Sequence, residues 1–313
     1  MTPNHINDYS NSGWYVYIQN DIDNIKEYIS TCHRLSTQAI PTTYPPNVQG
    51  NTSRLYVARC LDVARLRQGT WLNGQIIDIF LYSVYRSMPA THTFLFSDVY
   101  VRLIGVRVQT DSNGRGRHVE DGYDSENIMR YMQSLSLNQL QRDIILPINI
   151  SMTHWILGII SPSRERLYVI DSMASSSGHP RVEQNLLQFY NECYALHNEP
   201  AVPININNWI VINSVASLPT QFDAVNCGVF VAMTAYYYIT ESRLPTLADF
   251  SGSPTCMKSL RHFMAKTIRD AAQQNSINEV DILYEAQVRC LQSGRHASTL
   301  VPANQYVQDL RTS

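Results

Sequence analysis

The spacing of apolar positions divides the chain into a sparse beginning, a dense middle and an end without clear periodicity. In residues 71–88, WLNGQIIDIFLYSVYRSM, Ile76, Phe80 and Val84 stand four apart with Ile77 and Leu81 beside them. That spacing puts the apolar residues on one face of a helix, and Asn73 stands where a side chain can cap its start. Further on, DIILPINISMTHWILGIISP and RLYVIDSM read as two strands around the turn SPSRE. NCGVFVAMTAYYYI, residues 226–239, is a nearly uncharged run, shorter than the roughly 20 residues a bilayer span needs. CMKSLRHFMAKTIRDAAQ, from Cys256, is expected to be helical, and DSNGRGRHVEDG (111–122) to be a polar loop. The first 50 or so residues are rich in Asn, Ser and Tyr, with a short amphipathic segment around DIDNIKEYI. They close on the turn-rich PTTYPPNVQGNTS, which reads as a linker. The expected organisation is an extension and linker over 1–53, one domain over 54–272, and a partly helical tail over 273–313.

Composition narrows the function classes. A net charge of −2 and a pI near 6.5 imply no broad cationic surface for nucleic acid. The polar N-terminus, MTPNHINDYSNSG, lacks the basic-then-apolar layout of a signal peptide. Six cysteines are scattered with no C-x-x-C, against both a disulfide framework and a zinc site. Cys193 and His197 would share a helix face without a third ligand, so no metal is expected, and no cofactor motif occurs. Reduced thiols suit an intracellular setting, cytoplasm or nucleus, or a host cell if the protein is a delivered effector. Only Lys26, Lys258 and Lys266 are lysines among 24 basic residues. Genome composition explains that simply; a sharper reading is a protein working where lysines are targets of modification.

The chemistry gathers at the head of the uncharged run. A cysteine at the first turn of a helix sits in the positive field of its N-terminus, which favours thiolate. A cysteine inside such a run is a small core residue, and Cys227 taken alone fits either description. A turn centred on Pro162–Ser163 would set His154 opposite Asp171 as cross-strand neighbours. An aspartate there would hold the imidazole tautomer and stabilise the imidazolium. Separately, His154 reads as a core histidine and Asp171 as a turn former. Six residues before Cys227, Gln221 could donate with the Cys227 N–H to a tetrahedral oxyanion, and Gly228 would let substrate backbone approach.

Taken in order, WLNGQIIDIFL, HTFLF, DIILPINISMTHWILGII, LYVIDSM and QFDAVNCGVFV resemble the ubiquitin-like-protein-specific proteases. These are the sentrin-specific peptidases and their adenain-like relatives, and the likeness covers about residues 54–272. The resemblance implies an α+β, papain-like or adenain-like fold, with a mixed sheet packed against a central helix carrying the nucleophile. It implies Cys227 as nucleophile, His154 as general base, Asp171 as its orienter and Gln221 as oxyanion donor. Trp71 and Trp155 match tryptophans that close over a modifier's Gly-Gly tail. The implied activity is a cysteine isopeptidase or peptidase cutting after that tail, with ubiquitin or a ubiquitin-like modifier (SUMO or the neddylation modifier) and its conjugates as partners. Four positions depart from the pattern. Gly74 and Asn226 stand where aspartate is common, Asp223 where asparagine is frequent, and Tyr131 where a tryptophan occurs. Other readings are an acetyltransferase of the same clan, for which GRGRH is the only basic patch, a viral-type polyprotein-processing protease, and a non-catalytic modifier-binding module.

Overall fold

The computed structural model describes residues 18, 21–34, 60–86, 88, 91–110, 116–120, 122–126, 129–173, 178–197, 205–213 and 217–275. In chain order the first elements are α1 (Ile22–Arg34), α2 (Cys60–Ala64), α3 (Gly74–Arg86), β1 (His92–Phe94) and α4 (Asp98–Leu103). Then come β2 (Val106–Thr110), β3 (Gly116–Glu120), α5 (Met129–Ser134), α6 (Leu137–Leu140), β4 (Asp143–Ile150) and β5 (His154–Ser161). The last are β6 (Arg166–Ile170), α7 (Pro180–Ala195), β7 (Ile210–Ile212), α8 (Cys227–Glu241) and α9 (Pro254–Asn275).

A mixed sheet runs β1-β4-β5-β6-β7, parallel at its two outer pairs and antiparallel within. Successive residues of a strand face opposite sides, so β5 feeds two cores. Trp155, Leu157 and Ile159 join one with α1, α3, α8 and α9; Ile156 and Ile160 join the other with α4 and α7. The fold is thus α+β, as expected, with α8 the central buried helix. Helix α3 forms where its stripe predicts: Ile76, Ile77, Phe80 and Leu81 are fully buried, and Asn73 Oδ1 accepts from the Ile76 N–H at 3.2 Å.

Two expectations change, and one expected element is filled in. The segment from Asp143 to Pro162 is two strands rather than one, because Ser151 and Met152 adopt left-handed backbone and reverse the chain. The expected loop over 111–122 contains a strand, β3, paired antiparallel with β2; residues 111–115 lie outside the described residues. The amphipathic segment near DIDNIKEYI is α1, and Ile25, Ile29 and Cys32 pack into the core with α3, α8 and α9. The linker PTTYPPNVQGNTS and the chain beyond Asn275 lie outside the described residues.

Candidate active site

Cys227 is the first residue of α8 and is buried. The loop before it is organised by one carboxylate. Asp223 Oδ1 accepts from the N–H groups of Val225 (2.8 Å) and Asn226 (2.9 Å), while Oδ2 accepts from Asn226 Nδ2 at 2.6 Å. Burial pushes the Asp223 carboxyl up, but these N–H donors outweigh it and leave it below the ordinary aspartate value. The Asn226 carbonyl accepts from Val229 and Phe230, starting the helix directly behind the cysteine. The first-turn N–H groups of any helix lack intrahelical partners, so the Cys227 N–H belongs to a set of donors free to meet an oxyanion.

The His154 ring meets Asp171, Nε2 to Oδ1, at 2.8 Å. The route differs from the simple hairpin expectation. Leu157 lies opposite Ile170, which sets Asp171 across from Ile156 rather than His154. The reason is a longer turn: a 3-10 segment, Pro162–Arg164, followed by Glu165 in the left-handed region. A two-residue displacement keeps both side chains on one face, where diagonal neighbours remain within reach of long side chains. Asp171 also accepts from the Met173 N–H at 2.8 Å, and its Oδ2 meets His179 Nε2 at 2.9 Å. Burial raises the Asp171 carboxyl, but His154, the Met173 N–H and His179 together take it down to about 2. Its bond to Asp171, and then Cys227 nearby, raise His154 to about 9 against the desolvation that lowers it. The Cys227 thiol thus stands close enough to the ring to act on it, and contacts between such groups commonly tighten around substrate. With Nε2 committed to Asp171, Nδ1 is the ring nitrogen left for the thiol.

The remaining expected residues frame the same spot. Gln221 is buried, and its backbone N–H donates to the Ser172 carbonyl at 2.8 Å. Its Oε1 accepts from Ser172 Oγ at 2.9 Å, while Nε2 donates to the Asp223 carbonyl at 2.6 Å and to Oδ1 at 3.2 Å. The amide is therefore held by the Asp223 loop, and only its longer bond is weak enough to exchange easily for another acceptor. Trp155 is 5% exposed and donates from Nε1 to the Leu72 carbonyl at 3.0 Å; its neighbour in space, the loop carrying Trp71, leaves that ring 46% exposed. A Cβ on Gly228 would stand 3.0 Å from Leu72 Cβ, 3.2 Å from Ile77 Cδ1 and 3.4 Å from Trp155 Cδ1. Packing around Trp155 thus accounts for this glycine, beside any use in admitting substrate. At the ring's other end, a Cβ on Gly74 would meet Ser97 Oγ at 2.5 Å, and Ser97 is bonded to the buried Asp78. The Tyr131 side chain and the GRGRH patch lie outside the described residues and side chains.

Sequence reasoning missed His179 and Arg261. His179 sits just before Pro180 at the start of α7, a helix-start signal with no hint of its tie to Asp171. Arg261 was more legible. Met257, Leu260, Met264 and Ile268 make the apolar stripe of α9, and Arg261 falls on it, a charged residue at a core position. Among the described residues no cluster of three or more metal-ligating side chains occurs, and no helix is long and apolar enough to cross a membrane.

Residues 71–276 match the Ulp1 protease family, C-terminal catalytic domain. The chain belongs to this family. Ubiquitin-like-specific protease 1 of Saccharomyces cerevisiae is 23% identical over 189 residues, 56% of this chain. That match spans 24% of the relative, about a quarter of its length. Among solved structures, the Ulp1 protease domain in complex with Smt3, the yeast ortholog of SUMO, is 19% identical with a TM-score of 0.55. It covers 81% of this chain and 96% of that one. The Chaetomium thermophilum Ulp1-like SUMO protease catalytic domain is 20% identical with a TM-score of 0.50, covering 78% and 89%. At such identities the structures speak for the fold, and family membership rests on the match over residues 71–276.

Proposed function

We propose that this chain is a cysteine isopeptidase that cleaves after the C-terminal Gly-Gly of a ubiquitin-like modifier of the SUMO type. The observation that carries the reading is the His154–Asp171 bond beside Cys227, at the first turn of a buried helix, in a member of the Ulp1 protease family. The structure of a family member holding Smt3 supports the choice of modifier class.

In this reading His154 takes the Cys227 proton, and the thiolate attacks the carbonyl carbon of the terminal glycine. The oxyanion is met by the Cys227 N–H and by Gln221 once its amide gives up Asp223 Oδ1. The C–N bond breaks as the imidazolium returns a proton to the leaving amine, which leaves a thioester on Cys227. His154 then takes a proton from water; hydroxide adds to the thioester, and the modifier departs as a carboxylate with the thiol restored. Asp171 stays ionised throughout, consistent with its depressed value of about 2, and holds the ring. Trp155 packs beside the Cys227 turn at Gly228, and in this reading it and the exposed Trp71 close over the modifier's tail, where flat rings leave room for glycines and exclude larger residues.

The test is a set of modifiers carrying a C-terminal electrophile (SUMO, ubiquitin and the neddylation modifier), offered to the wild type and to Cys227→Ala. A covalent adduct with SUMO that the variant fails to form is expected, with binding of the unreactive modifier retained. An adduct with ubiquitin alone would overturn the modifier class, and no adduct with any of them would overturn the isopeptidase reading.

A further inference from the structure

Behind Cys227 lies a group that the proposed chemistry does not use. Arg261, on α9, is 1% exposed, and its guanidinium is satisfied entirely by uncharged oxygens. Nε and one terminal nitrogen donate to Asn226 Oδ1 at 3.0 and 2.7 Å. The same terminal nitrogen reaches the Thr70 carbonyl at 2.8 Å and the Val225 carbonyl at 3.4 Å. The other donates to the carbonyls of Arg65 (2.9 Å) and Arg67 (3.0 Å). Among the described residues no carboxylate pairs with it. A buried cation ordinarily needs a charged partner, so leaving it on amide oxygens preserves a positive charge in a low-dielectric place.

We propose that Arg261 is a positioning residue for the Cys227 nucleophile: it ties the Trp71 loop to the first turn of α8 and leaves an unneutralised positive charge there that favours the thiolate. The inference rests on the reading of Cys227 as nucleophile. Three observations support it. The hydrogen bonds reach both elements, the 65–70 segment leading to Trp71 and the Val225–Asn226 cap of Cys227. Burial lowers the guanidinium to about 10, still charged at neutral pH, with Asp223 the first group to oppose that lowering. The nearest pair is also arranged to keep the charge open: Asn226, not an aspartate, faces Arg261, while the carboxylate stands beyond it on Asp223, joined through Asn226 Nδ2. The other charged or titratable groups around this turn are His154 from β5, Asp171 after β6 with His179 behind it, and Asp62 and Arg65 from the α2 side.

Exchanging the two side chains isolates the charge. In Asp223→Asn with Asn226→Asp the amide–carboxylate contact is kept in reverse, but the carboxylate now lies directly on Arg261. The experiment follows iodoacetamide alkylation of the Cys227 peptide in the full chain against pH, with thermal unfolding of each variant as a check on folding. Asp223→Asn alone, which removes the only nearby offsetting carboxylate of that loop, is expected to lower the acid-side midpoint. The double variant is expected to stand about one pH unit above the single, roughly tenfold slower alkylation on the acid side. A folded double variant with the midpoint of the single overturns the proposal. If the double does not fold, an unmoved midpoint in Asp223→Asn alone overturns it. Failure of Cys227 to alkylate selectively in the wild type would strike the nucleophile reading instead, so the two failures are distinct.

Discussion

The two ends of α8 are built by different forces. From Val229 to Ile239 the helix is enclosed by apolar side chains: Phe230 meets Phe250, Tyr236 meets Phe80 and Phe263, and Val229, Ala232, Met233 and Ala235 are fully buried. Stabilisation there grows with area removed from water and is shared among many contacts, each replaceable in kind. Around the first turn the side chains are held by specific polar partners, from Asp223 and Gln221 to Arg261 and the His154–Asp171–His179 chain. Hydrogen bonds are directional, and removing one member leaves another buried and unpaired. Packing therefore places the helix, while the polar turn decides what its end can do.

Mutations should separate the two regimes. The largest effect is expected for Asp171→Asn, with cleavage of a modifier conjugate falling on the order of 10²–10⁴-fold. Its pH signature is specific. A histidine raised from 6.5 to about 9 adds stability that is complete below 6.5 and lost as pH climbs through about 9. An aspartate lowered from 3.8 to about 2 adds stability that is present above 3.8 and lost as pH falls through about 2. Thermal unfolding of the wild type against pH should slope in both windows, and Asp171→Asn should flatten both while moving the alkaline limb of activity down towards 6.5.

At the other end, Phe230→Ala is expected to cost about 3–5 kcal/mol of unfolding free energy. The pH midpoint of Cys227 alkylation should not move at temperatures where the variant is folded. A midpoint that shifts with this cavity would show that packing and polar turn are not separable. His179→Ala should be the mildest. The His179 side chain does not cap α7, so helix formation is spared, but Asp171 Oδ2 loses a donor that competes with His154. The alkaline limb of kcat/KM should rise by about half a pH unit or less. A loss of thermal stability with an unmoved limb would make His179 a packing residue only.

Much of this was legible from residue patterns because the relevant forces are local or periodic. The α3 stripe, its Asn73 cap and the apolar run behind Cys227 each follow from side chains a few positions apart. The hairpin also brought His154 and Asp171 to one face without the correct register, since a two-residue shift preserves parity. Less legible was the turn at Ser151–Thr153, where left-handed backbone at Ser151 and Met152 carries no glycine to announce it. The partnership of Asp171 with His179 was hidden too, because it depends on where α7 enters over the sheet.

Chain order and spacing put a histidine and an aspartate on adjoining strands and a cysteine at the head of a long apolar run. The family resemblance those motifs carry added an α+β body with that cysteine on a central helix. Only the tertiary structure decided that Gln221 rests against Asp223, that Gly228 and Gly74 flank the Trp155 ring, and that Arg261 stands beneath the cysteine turn on neutral oxygens. The physical reason is range. Periodicity and turn chemistry act within one element, whereas the pairing of a buried charge is settled between segments some 190 residues apart, as from Arg261 to Thr70. Such contacts exist only after the apolar faces have brought those segments together.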